Sequence, residues 1–317
     1  MITTITLNAS IDKAYQMNEK IENGTVMRVA KCRNSAGGKG LNVARIVKLC
    51  KGDVSASGLT GGFNGKYLEE LLDQDEIEHH FYHIKGETRS CINILDPCYG
   101  STEYLEPGCL VSQEEIVGFL KEFPAIIKDS SVVTLSGSAP EGMNKNIYKI
   151  LIDAANKAGK KVILDTSKDL LKQGIEARPF MVKPNQDEIE MLFDIKIKNM
   201  SDVIHYAKLI FEKGISYVVI SLGKDGALLV CEKGIYQAKP PKVSVVNTVG
   251  CGDSMVGAFA VSIEKEAEPE ECLKYAAAVA TANAMSSETG HFDQKQLEEI
   301  FDKVKIYKIE SENELCL

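Results

Sequence analysis

Residues 131–164 have the sequence SVVTLSGSAPEGMNKNIYKILIDAANKAGKKVIL, in which two short apolar runs flank a helical pattern. The runs at residues 131–135 and 161–164 lack the strict alternation of a half-exposed strand, so we expect strands that are buried on both faces. Residues 145–158 have helical spacing and would connect the two strands. This stretch therefore predicts a parallel βαβ unit.

The same alternation of helix-like and strand-like segments continues along the chain. Residues 113–127 and 202–213 have helical spacing, whereas residues 2–7 and 217–221 are short and strand-like. Short apolar strands that alternate with helices of about 10–15 residues are typical of a parallel sheet. We therefore predict an α/β fold with a mostly parallel central sheet.

Two segments interrupt this alternation. Residues 11–35 and 88–107 carry strand-like patterns with no helix between them, and we interpret them as a small antiparallel sheet that projects from the main body. The body then consists of residues 1–10, 36–87 and 108–317. At its end, we expect residues 310–317 to form a loosely held tail.

The composition argues against several classes of protein. The 317 residues include 37 Lys and Arg against 45 Asp and Glu, and the net charge of −8 argues against a general nucleic-acid binder. The nine cysteines form no C-x-x-C pair, and their odd number argues against a disulfide framework or a cysteine-rich zinc site. The N-terminus lacks a basic region followed by an apolar stretch, and no apolar run reaches about 18 residues. We therefore expect a cytoplasmic protein that does not span a membrane.

Residues 247–254, Asn-Thr-Val-Gly-Cys-Gly-Asp-Ser, are the strongest candidate for a site. We expect a strand at residues 243–246 before them and a helix that begins at Ser254. The N–H groups of a glycine turn at a helix N-terminus attract a phosphoryl group. The N–H groups that would form this anion hole belong to Gly250, Cys251 and Gly252. Asp253 is placed to accept a proton from an attacking hydroxyl, although an N-capping Asp in a plain turn is the structural alternative.

A second glycine-rich turn, Ala-Gly-Gly-Lys-Gly-Leu-Asn at residues 36–42, also precedes a helical pattern. Its glycines allow a polar ligand to approach the backbone, and Lys39 offers a cation for a phosphate. The turn does not match the dinucleotide fingerprint G-x-G-x-x-G, because residue 43 is valine. Residues 61–67 fail the P-loop pattern, because their first glycine is one position too close and Tyr67 replaces the required Ser or Thr. Both loops have a purely structural turn as their alternative.

Two further turns carry groups suited to a nucleotide and its metal. Residues 183–188, Lys-Pro-Asn-Gln-Asp-Glu, follow a strand-like run, and the side-chain oxygens of Asn185 and Glu188 suit Mg²⁺ directly or through water. A capping box at the start of a helix is the structural alternative. Residues 221–227, Ser-Leu-Gly-Lys-Asp-Gly-Ala, join two strands, and such a turn either approaches nucleotide phosphates or is only a hairpin.

Charged side chains indicate one further site and argue against another. Arg28, Lys39 and Arg89 lie on or beside the predicted small sheet, and they would form a pocket for an anion if they converge. His79 and His83 are four residues apart, but the Phe-Tyr pair between them favours a strand over the helix that a zinc pair requires. The sequence therefore leaves a cationic pocket and three separate, solvated cations as the alternatives, and it argues against a histidine zinc site.

Together, these motifs resemble those of the ribokinase-like (PfkB) family of carbohydrate kinases, and the resemblance covers essentially the whole chain. Residues 36–44 and 247–254 look like the two signatures of the family. Lys-Pro-Asn-x-x-Glu at residues 183–188 and Ser-Leu-Gly at residues 221–223 lie between them in the expected order. One departure is Cys251, where alanine is commoner in the family.

The resemblance implies a three-layer α/β/α fold with a small β-sheet that acts as a lid over the body. It also implies an ATP- and Mg²⁺-dependent kinase that forms a homodimer through the lid. Asp253 would be the general base beside the anion hole, and Asn185 and Glu188 would organise Mg²⁺. The residues that hold the sugar hydroxyls would be Asp12, Gly38, Lys39 and Asn42. Those that hold the phosphate of the sugar would be Arg28, Lys39, Arg89 and Ser138. Those that line the nucleotide site would be Lys183, Asn185, Ser221, Gly223, Gly226 and Asn283.

The Gly-Gly-Lys-Gly motif resembles the branch of the family that acts on hexose phosphates. This implies transfer of the γ-phosphoryl group of ATP to a ketohexose phosphate, which yields a 1,6-bisphosphate. Residues 84–89, 102–106 and 289–291 resemble the members of this branch that act on tagatose 6-phosphate. The resemblance therefore implies tagatose 6-phosphate as the acceptor, with fructose 1-phosphate as the alternative. Asp253 argues against a non-catalytic sensor on the same fold, and the failed glycine fingerprint disfavours a nicotinamide-dependent dehydrogenase.

Overall fold

The computed structural model of the protein describes residues 1–309, and the predicted tail at residues 310–317 lies outside the described residues. The strands, in chain order, are Ile2–Thr6 (β1), Ser10–Gln16 (β2), Lys31–Gly37 (β3), Val54–Gly61 (β4), Glu78–Ile84 (β5), Arg89–Asp96 (β6), Gly100–Leu105 (β7), Val132–Ser136 (β8), Lys161–Asp165 (β9), Met181–Val182 (β10), Tyr217–Ser221 (β11), Ala227–Cys231 (β12), Gly234–Lys239 (β13) and Lys305–Lys308 (β14). The helices are Lys39–Leu49 (α1), Gly62–Gln74 (α2), Gln113–Ile126 (α3), Ile147–Lys157 (α4), Lys168–Ile175 (α5), Gln186–Phe193 (α6), Met200–Phe211 (α7), Cys251–Glu264 (α8), Pro269–Met285 (α9) and Gln294–Lys303 (α10). Within residues 1–309, no helix has the length and apolar character needed to cross a membrane.

The large sheet has ten strands in the order β14-β13-β12-β11-β10-β9-β8-β1-β4-β5. Seven neighbouring strands run parallel to one another, namely β11, β10, β9, β8, β1, β4 and β5. At one edge of the sheet, β12, β13 and β14 are each antiparallel to their neighbours. The mostly parallel central sheet predicted from the sequence is therefore confirmed.

Helices cover both faces of this sheet, and each face has its own apolar core. Helices α1, α2, α8, α9 and α10 contribute to one core, whereas α3 to α7 contribute to the other. Adjacent residues of one strand divide between them, since Val132 belongs to the first core and Val133 to the second. Because both faces are buried, strands such as β9 and β11 are apolar at successive positions. The three-layer α/β/α architecture is confirmed.

The small sheet has four strands in the order β3-β2-β6-β7, and they come from the two segments that interrupt the sequence pattern. Strand β2 pairs antiparallel with β3, and β6 pairs antiparallel with β7, but the central pair of β2 and β6 is parallel. The prediction of an antiparallel sheet is wrong at this pair. The reason is that the chain returns to the large sheet between these strands, so both leave the body in the same direction. The residue bounds given above for body and lid stay a prediction.

The predicted strand at residues 243–246 is wrong, because the structure has an irregular segment there. Pro240 and Pro241 follow β13, and proline lacks the N–H group that a strand ladder needs. Strand β14 already pairs with the outer edge of β13. The valines of the segment therefore have no sheet to join, and Val245 and Val246 are 58% and 62% exposed.

Candidate active site

A cleft lies between the small sheet and the carboxyl ends of the parallel strands. Its volume is about 1270 Å³, which exceeds the roughly 300–1,000 Å³ that is typical of a pocket for one small molecule. The predicted site residues that line it are Asp12, Gly38, Lys39, Asn42, Arg89, Lys183, Asn185, Glu188, Ser221, Gly250, Gly252 and Asp253. The predicted residues outside its lining are Arg28, Ser138, Gly223, Gly226, Cys251 and Asn283.

The N-terminus of α8 faces this cleft. Gly250 precedes the helix with a φ of 81°, a conformation that favours glycine. The helix begins at Cys251, three residues before the predicted start, so Asp253 lies within its first turn. The N–H group of Cys251 donates to the carbonyl oxygen of Thr248, whereas no described residue accepts from the N–H groups of Gly252 and Asp253. Two main-chain amides therefore remain available for an anion.

Asp253 is a buried carboxylate at the edge of these amides. Its residue surface is 6% exposed, and burial raises the pKa of Asp253 to about 6. The side-chain amide Nδ2 of Asn42 donates to Oδ2 of Asp253 at 2.8 Å. Gly250 is the N-cap residue and α8 has no side-chain cap, so Asp253 is not a capping residue. A carboxylate with a pKa close to neutral and one oxygen facing a cleft suits a general base.

Asp165 is a second buried carboxylate at the cleft, and it was not predicted from the sequence. It ends β9, and its oxygens lie 3.1 Å from Nζ of Lys183 and 3.5 Å from Nζ of Lys39. Burial opposes ionisation of Asp165, but the two ammonium groups outweigh it and keep its pKa below the usual value. The charge of Asp165 in turn raises the pKa of Lys39. A charged residue at the end of a buried strand was the signal that could have identified Asp165.

Asn185 and Glu188 form the capping box that was the structural alternative at this turn. Oδ1 of Asn185 accepts from the N–H of Glu188 at 2.8 Å, and Oε2 of Glu188 accepts from the N–H of Asn185 at 2.9 Å. Both residues nevertheless line the cleft, and Oε1 of Glu188 accepts from no described residue. Burial raises the pKa of Glu188. Capping and a role in the cleft are therefore compatible here.

Asp12 and Arg89 lie on adjacent strands of the small sheet, where they line the cleft. Oδ1 of Asp12 accepts from the hydroxyl of Ser10 at 2.6 Å, and burial raises the pKa of Asp12. The guanidinium of Arg89 donates to the carbonyl oxygens of Asn8 and Glu106. These bonds use only some of its five donors, so the side chain is oriented and can still bind an anion.

Two residues predicted to hold a phosphate lie outside the cleft lining. Arg28 is exposed in the segment between β2 and β3. Ser138 follows β8, and its hydroxyl accepts from Nδ2 of Asn8 at 3.1 Å. Of the predicted cationic cluster, the structure therefore places Lys39 and Arg89 in the cleft. Further cations that were not predicted also line it, among them Arg33 and Arg45.

The remaining residues outside the lining are Gly223, Gly226, Cys251 and Asn283, and they support the turns beside the cleft. Gly226 has a φ of 90°, and a Cβ there would overlap the carbonyl oxygen of Ala238. The fully buried Asn283 donates to the carbonyl oxygen of Val249 and accepts from the N–H of Gly290. It thus joins the turn before α8 to the loop after α9.

The histidines form no metal site within the described chain. His79 and His83 lie on β5, as predicted, and each contacts a carboxylate of α2. No group of three or more His, Cys, Asp or Glu side chains among residues 1–309 is placed to hold a metal ion.

Comparison with known proteins agrees with this geometry, since residues 5–296 match the pfkB family of carbohydrate kinases. The chain belongs to this family. Tagatose-6-phosphate kinases from two strains of Staphylococcus epidermidis are 36% identical over 313 residues, which covers 98% of this chain and 100% of theirs.

Solved structures described as phosphofructokinases have a similar fold. Phosphofructokinase-2 from Escherichia coli in complex with potassium has a TM-score of 0.90 and 30% identity, with 95% of this chain and 98% of that chain covered. A possible 1-phosphofructokinase from Thermotoga maritima has a TM-score of 0.88 and 25% identity, with 98% and 100% covered. As a carbohydrate kinase of the PfkB family, the protein is a phosphotransferase with an alcohol acceptor, and ATP is the phosphoryl donor.

Proposed function

We propose that this PfkB kinase transfers the γ-phosphoryl group of ATP to a ketohexose phosphate and yields a 1,6-bisphosphate, with tagatose 6-phosphate as the preferred acceptor. The observation that carries the proposal is the buried carboxylate of Asp253 beside the free amides of α8. The 36% identity to tagatose-6-phosphate kinases supports this choice of sugar.

In the proposed reaction, Asp253 accepts the proton of the primary hydroxyl as that oxygen attacks the γ-phosphorus. The bond from the phosphorus to the β,γ-bridging oxygen breaks, and ADP leaves. The amides of Gly252 and Asp253 and the positive end of α8 stabilise the charge on the transferred group. Lys39, which also lines the cleft, would add a cation.

The proposed sugar site is the wall formed by the small sheet and the N-terminus of α1. Asp12, Gly38 and Asn42 would hold the hydroxyls, and Lys39 and Arg89 would hold the phosphate, because all five line this part of the cleft. The proposed contacts of Arg28 and Ser138 with the phosphate require these two residues to move. Closure of the small sheet as a lid would exclude water and limit hydrolysis of ATP.

The proposed nucleotide site lies at the ends of β10 and β11. Lys183, Asn185 and Ser221 line the cleft there, and Gly223, Gly226 and Asn283 would act by shaping the neighbouring turns. The residues present fit Mg²⁺, since Glu188 offers a carboxylate oxygen and Asn185 an amide, which bind this ion best through water. Bound Mg²⁺ would neutralise charge on the phosphates and orient them.

The competing substrate is fructose 1-phosphate, and the likeness to the Thermotoga maritima structure favours it as the second candidate. We would compare kcat/KM for tagatose 6-phosphate, fructose 1-phosphate and fructose 6-phosphate with ATP and one enzyme preparation. The expected result is the highest value for tagatose 6-phosphate. A higher value for either fructose phosphate would overturn the choice of sugar.

Asp253→Asn is the matched variant for the chemical step. It should reduce kcat by about 10²–10⁴-fold while sugar-phosphate binding stays close to that of the wild type, because an amide cannot accept the proton. Near-normal turnover of this variant would contradict the assignment of the base. Binding without any turnover by the wild type would support the non-catalytic sensor.

We also propose that the protein is a cytoplasmic homodimer that forms through the small sheet. Strand β7 is exposed at every residue, and Tyr104 and Leu105 are 60% and 63% exposed on this edge. An unpaired edge strand with apolar side chains favours pairing with a second chain. Sedimentation of the wild type should give the mass of two chains, and Tyr104→Lys should give the mass of one. A wild type that sediments as a single chain would contradict the dimer.

A further inference from the structure

Arg45 lies on α1, one turn beyond Asn42, and its side chain is 15% exposed. Nη1 donates to Oδ1 of Asn42 at 3.0 Å, and Nη2 donates to the carbonyl oxygen of Ala36 at the end of β3. Nε donates to Oδ2 of Asp75 at 2.9 Å, after the last turn of α2. Acceptors on three different elements therefore hold the guanidinium in one place.

The side-chain amide of Asn42 is bonded on both sides. Its oxygen accepts from Arg45, and its nitrogen donates to Oδ2 of Asp253 at 2.8 Å. A guanidinium has only donors and a carboxylate has only acceptors, so a single orientation of the amide satisfies both neighbours. The opposite orientation would place the NH₂ group against Arg45 and the oxygen against a carboxylate. The guanidinium therefore selects the orientation in which Asn42 donates to Asp253.

We propose that Arg45 is a positioning residue for phosphoryl transfer, which orients Asn42 so that Asn42 holds Oδ2 of Asp253 and leaves Oδ1 for the acceptor hydroxyl. The proposal rests on the proposed function, because it depends on Asp253 as the general base. Arg45 would act on Asp253 through Asn42, since Arg45 and Asp253 share no hydrogen bond or ion pair among residues 1–309. A misplacement of the base lowers the rate steeply, because proton transfer requires a short and aligned hydrogen bond.

Other charged and titratable groups also face Asp253, and they influence its pKa independently of Arg45. Lys39 and Lys183 lower the pKa of Asp253, whereas the neighbouring charge of Asp165 raises it. The thiol of Cys251, whose own pKa burial raises, is the fourth group. None of these four contacts Arg45 among the described hydrogen bonds and ion pairs, so substitution of Arg45 leaves them in place.

The first test compares Arg45→Met and Arg45→Lys with the wild type. Arg45→Met should lower kcat by at least about tenfold, with little change in the KM for ATP. The bond from Asn42 favours the charged carboxylate, so its loss should move the acidic limb of the kcat profile to higher pH. Arg45→Lys keeps the charge but has one donor nitrogen in place of three, so its losses should be smaller and in the same direction. Lys213→Gln is the control, because it breaks an exposed ion pair on the body, and it should leave kcat and the profile unchanged.

The second test is a double-mutant cycle with Asn42→Ala. If Arg45 acts through Asn42, the double variant Arg45→Met/Asn42→Ala should be no slower than Asn42→Ala alone. A general structural role predicts that the two losses multiply, and that result would overturn the proposal. The melting temperature of each variant is measured as well. If Arg45→Met does not fold, Arg45→Lys replaces it in the cycle, and the same criterion applies.

Wild-type turnover distinguishes a failure of the proposed function from a failure of the proposal for Arg45. If the wild type phosphorylates no sugar phosphate, the proposed function fails. If the wild type is active and Arg45→Met keeps the wild-type kcat and pH profile, only the proposal for Arg45 fails.

Discussion

Asp253 should carry a proton through much of the acidic range, because burial raises its pKa to about 6. A general base must be deprotonated, so kcat should fall about tenfold for each pH unit below this value and level off above it. The measurement is kcat at saturating ATP and sugar phosphate from about pH 5 to about pH 9.

The control for this profile is the residual activity of Asp253→Asn. Phosphate groups of the substrates also titrate close to pH 6, and they are present for both enzymes. A limb that belongs to Asp253 should be absent in the variant. A limb that persists there belongs to the substrates and contradicts the assignment.

Asp165 is the residue for which we expect a large effect on stability. Asp165→Asn removes the charge that lies between Lys183 and Lys39, and Lys183 is only 5% exposed. Loss of one partner of a buried ion pair typically costs about 3–5 kcal/mol, because the other charge stays buried without compensation. Urea unfolding at neutral pH measures this free energy.

The matched control is Asp169→Asn, which removes the carboxylate of an exposed ion pair with Lys145. Solvent screens such pairs, so its unfolding midpoint should stay close to that of the wild type. Equal midpoints for Asp165→Asn and Asp169→Asn would show that the buried pair does not stabilise the fold.

At the scale of elements, the turn between β11 and β12 contains one glycine that the backbone requires and one that can be replaced. Gly226 has a φ of 90°, and a Cβ there would overlap the carbonyl oxygen of Ala238 on β13. Gly223 has a φ of 58°, and no atom lies within 4 Å of a Cβ at that position. Gly226→Ala should therefore destabilise the protein by at least about 1–3 kcal/mol in urea unfolding.

Gly223→Asn is the control for this hairpin, because Asn tolerates the left-handed conformation and has room there. Its unfolding midpoint should change little. The contrary result is a Gly226→Ala protein of normal stability with a raised KM for ATP, which would indicate that Gly226 contacts the nucleotide directly.

At the scale of the whole molecule, an ion pair among residues 1–309 connects the small sheet to the body at the cleft. Arg33 on β3 pairs with Glu288 in the loop between α9 and α10, and both residues line the cleft. The side chains are 50% and 40% exposed, so the pair contributes at most about 1 kcal/mol. Glu288→Gln should weaken closure of the small sheet and raise the KM for the sugar phosphate by up to about fivefold.

Glu288 is the informative partner because an anion does not bind a phosphate itself. Lys213→Gln, which breaks an exposed pair with Glu176 on the body, should leave the KM unchanged. A lower KM in Glu288→Gln would contradict the closing role, since it would mean that the released Arg33 binds the phosphate.

The elements and the glycine turns were predictable because their signals are local. Residues 217–221 were predicted as a strand, and β11 has the same bounds. The predicted helix at residues 113–127 differs from α3 by one residue. The prediction of a strand at residues 243–246 was wrong because valines indicate a strand only when a neighbouring strand is available. The position of such a strand depends on distant parts of the chain.

The order of strands and helices, the two glycine turns and the family of the protein were determined by the sequence itself, because periodicity and backbone freedom are properties of neighbouring residues. Only the tertiary structure decided which charges meet: it brought Asp165 to Lys39 and Lys183, and it left Arg28 outside the cleft. It also brought Asn42 to Asp253, 211 residues further along the chain. A pKa and an ion pair depend on distance and burial, which arise only when distant segments pack together.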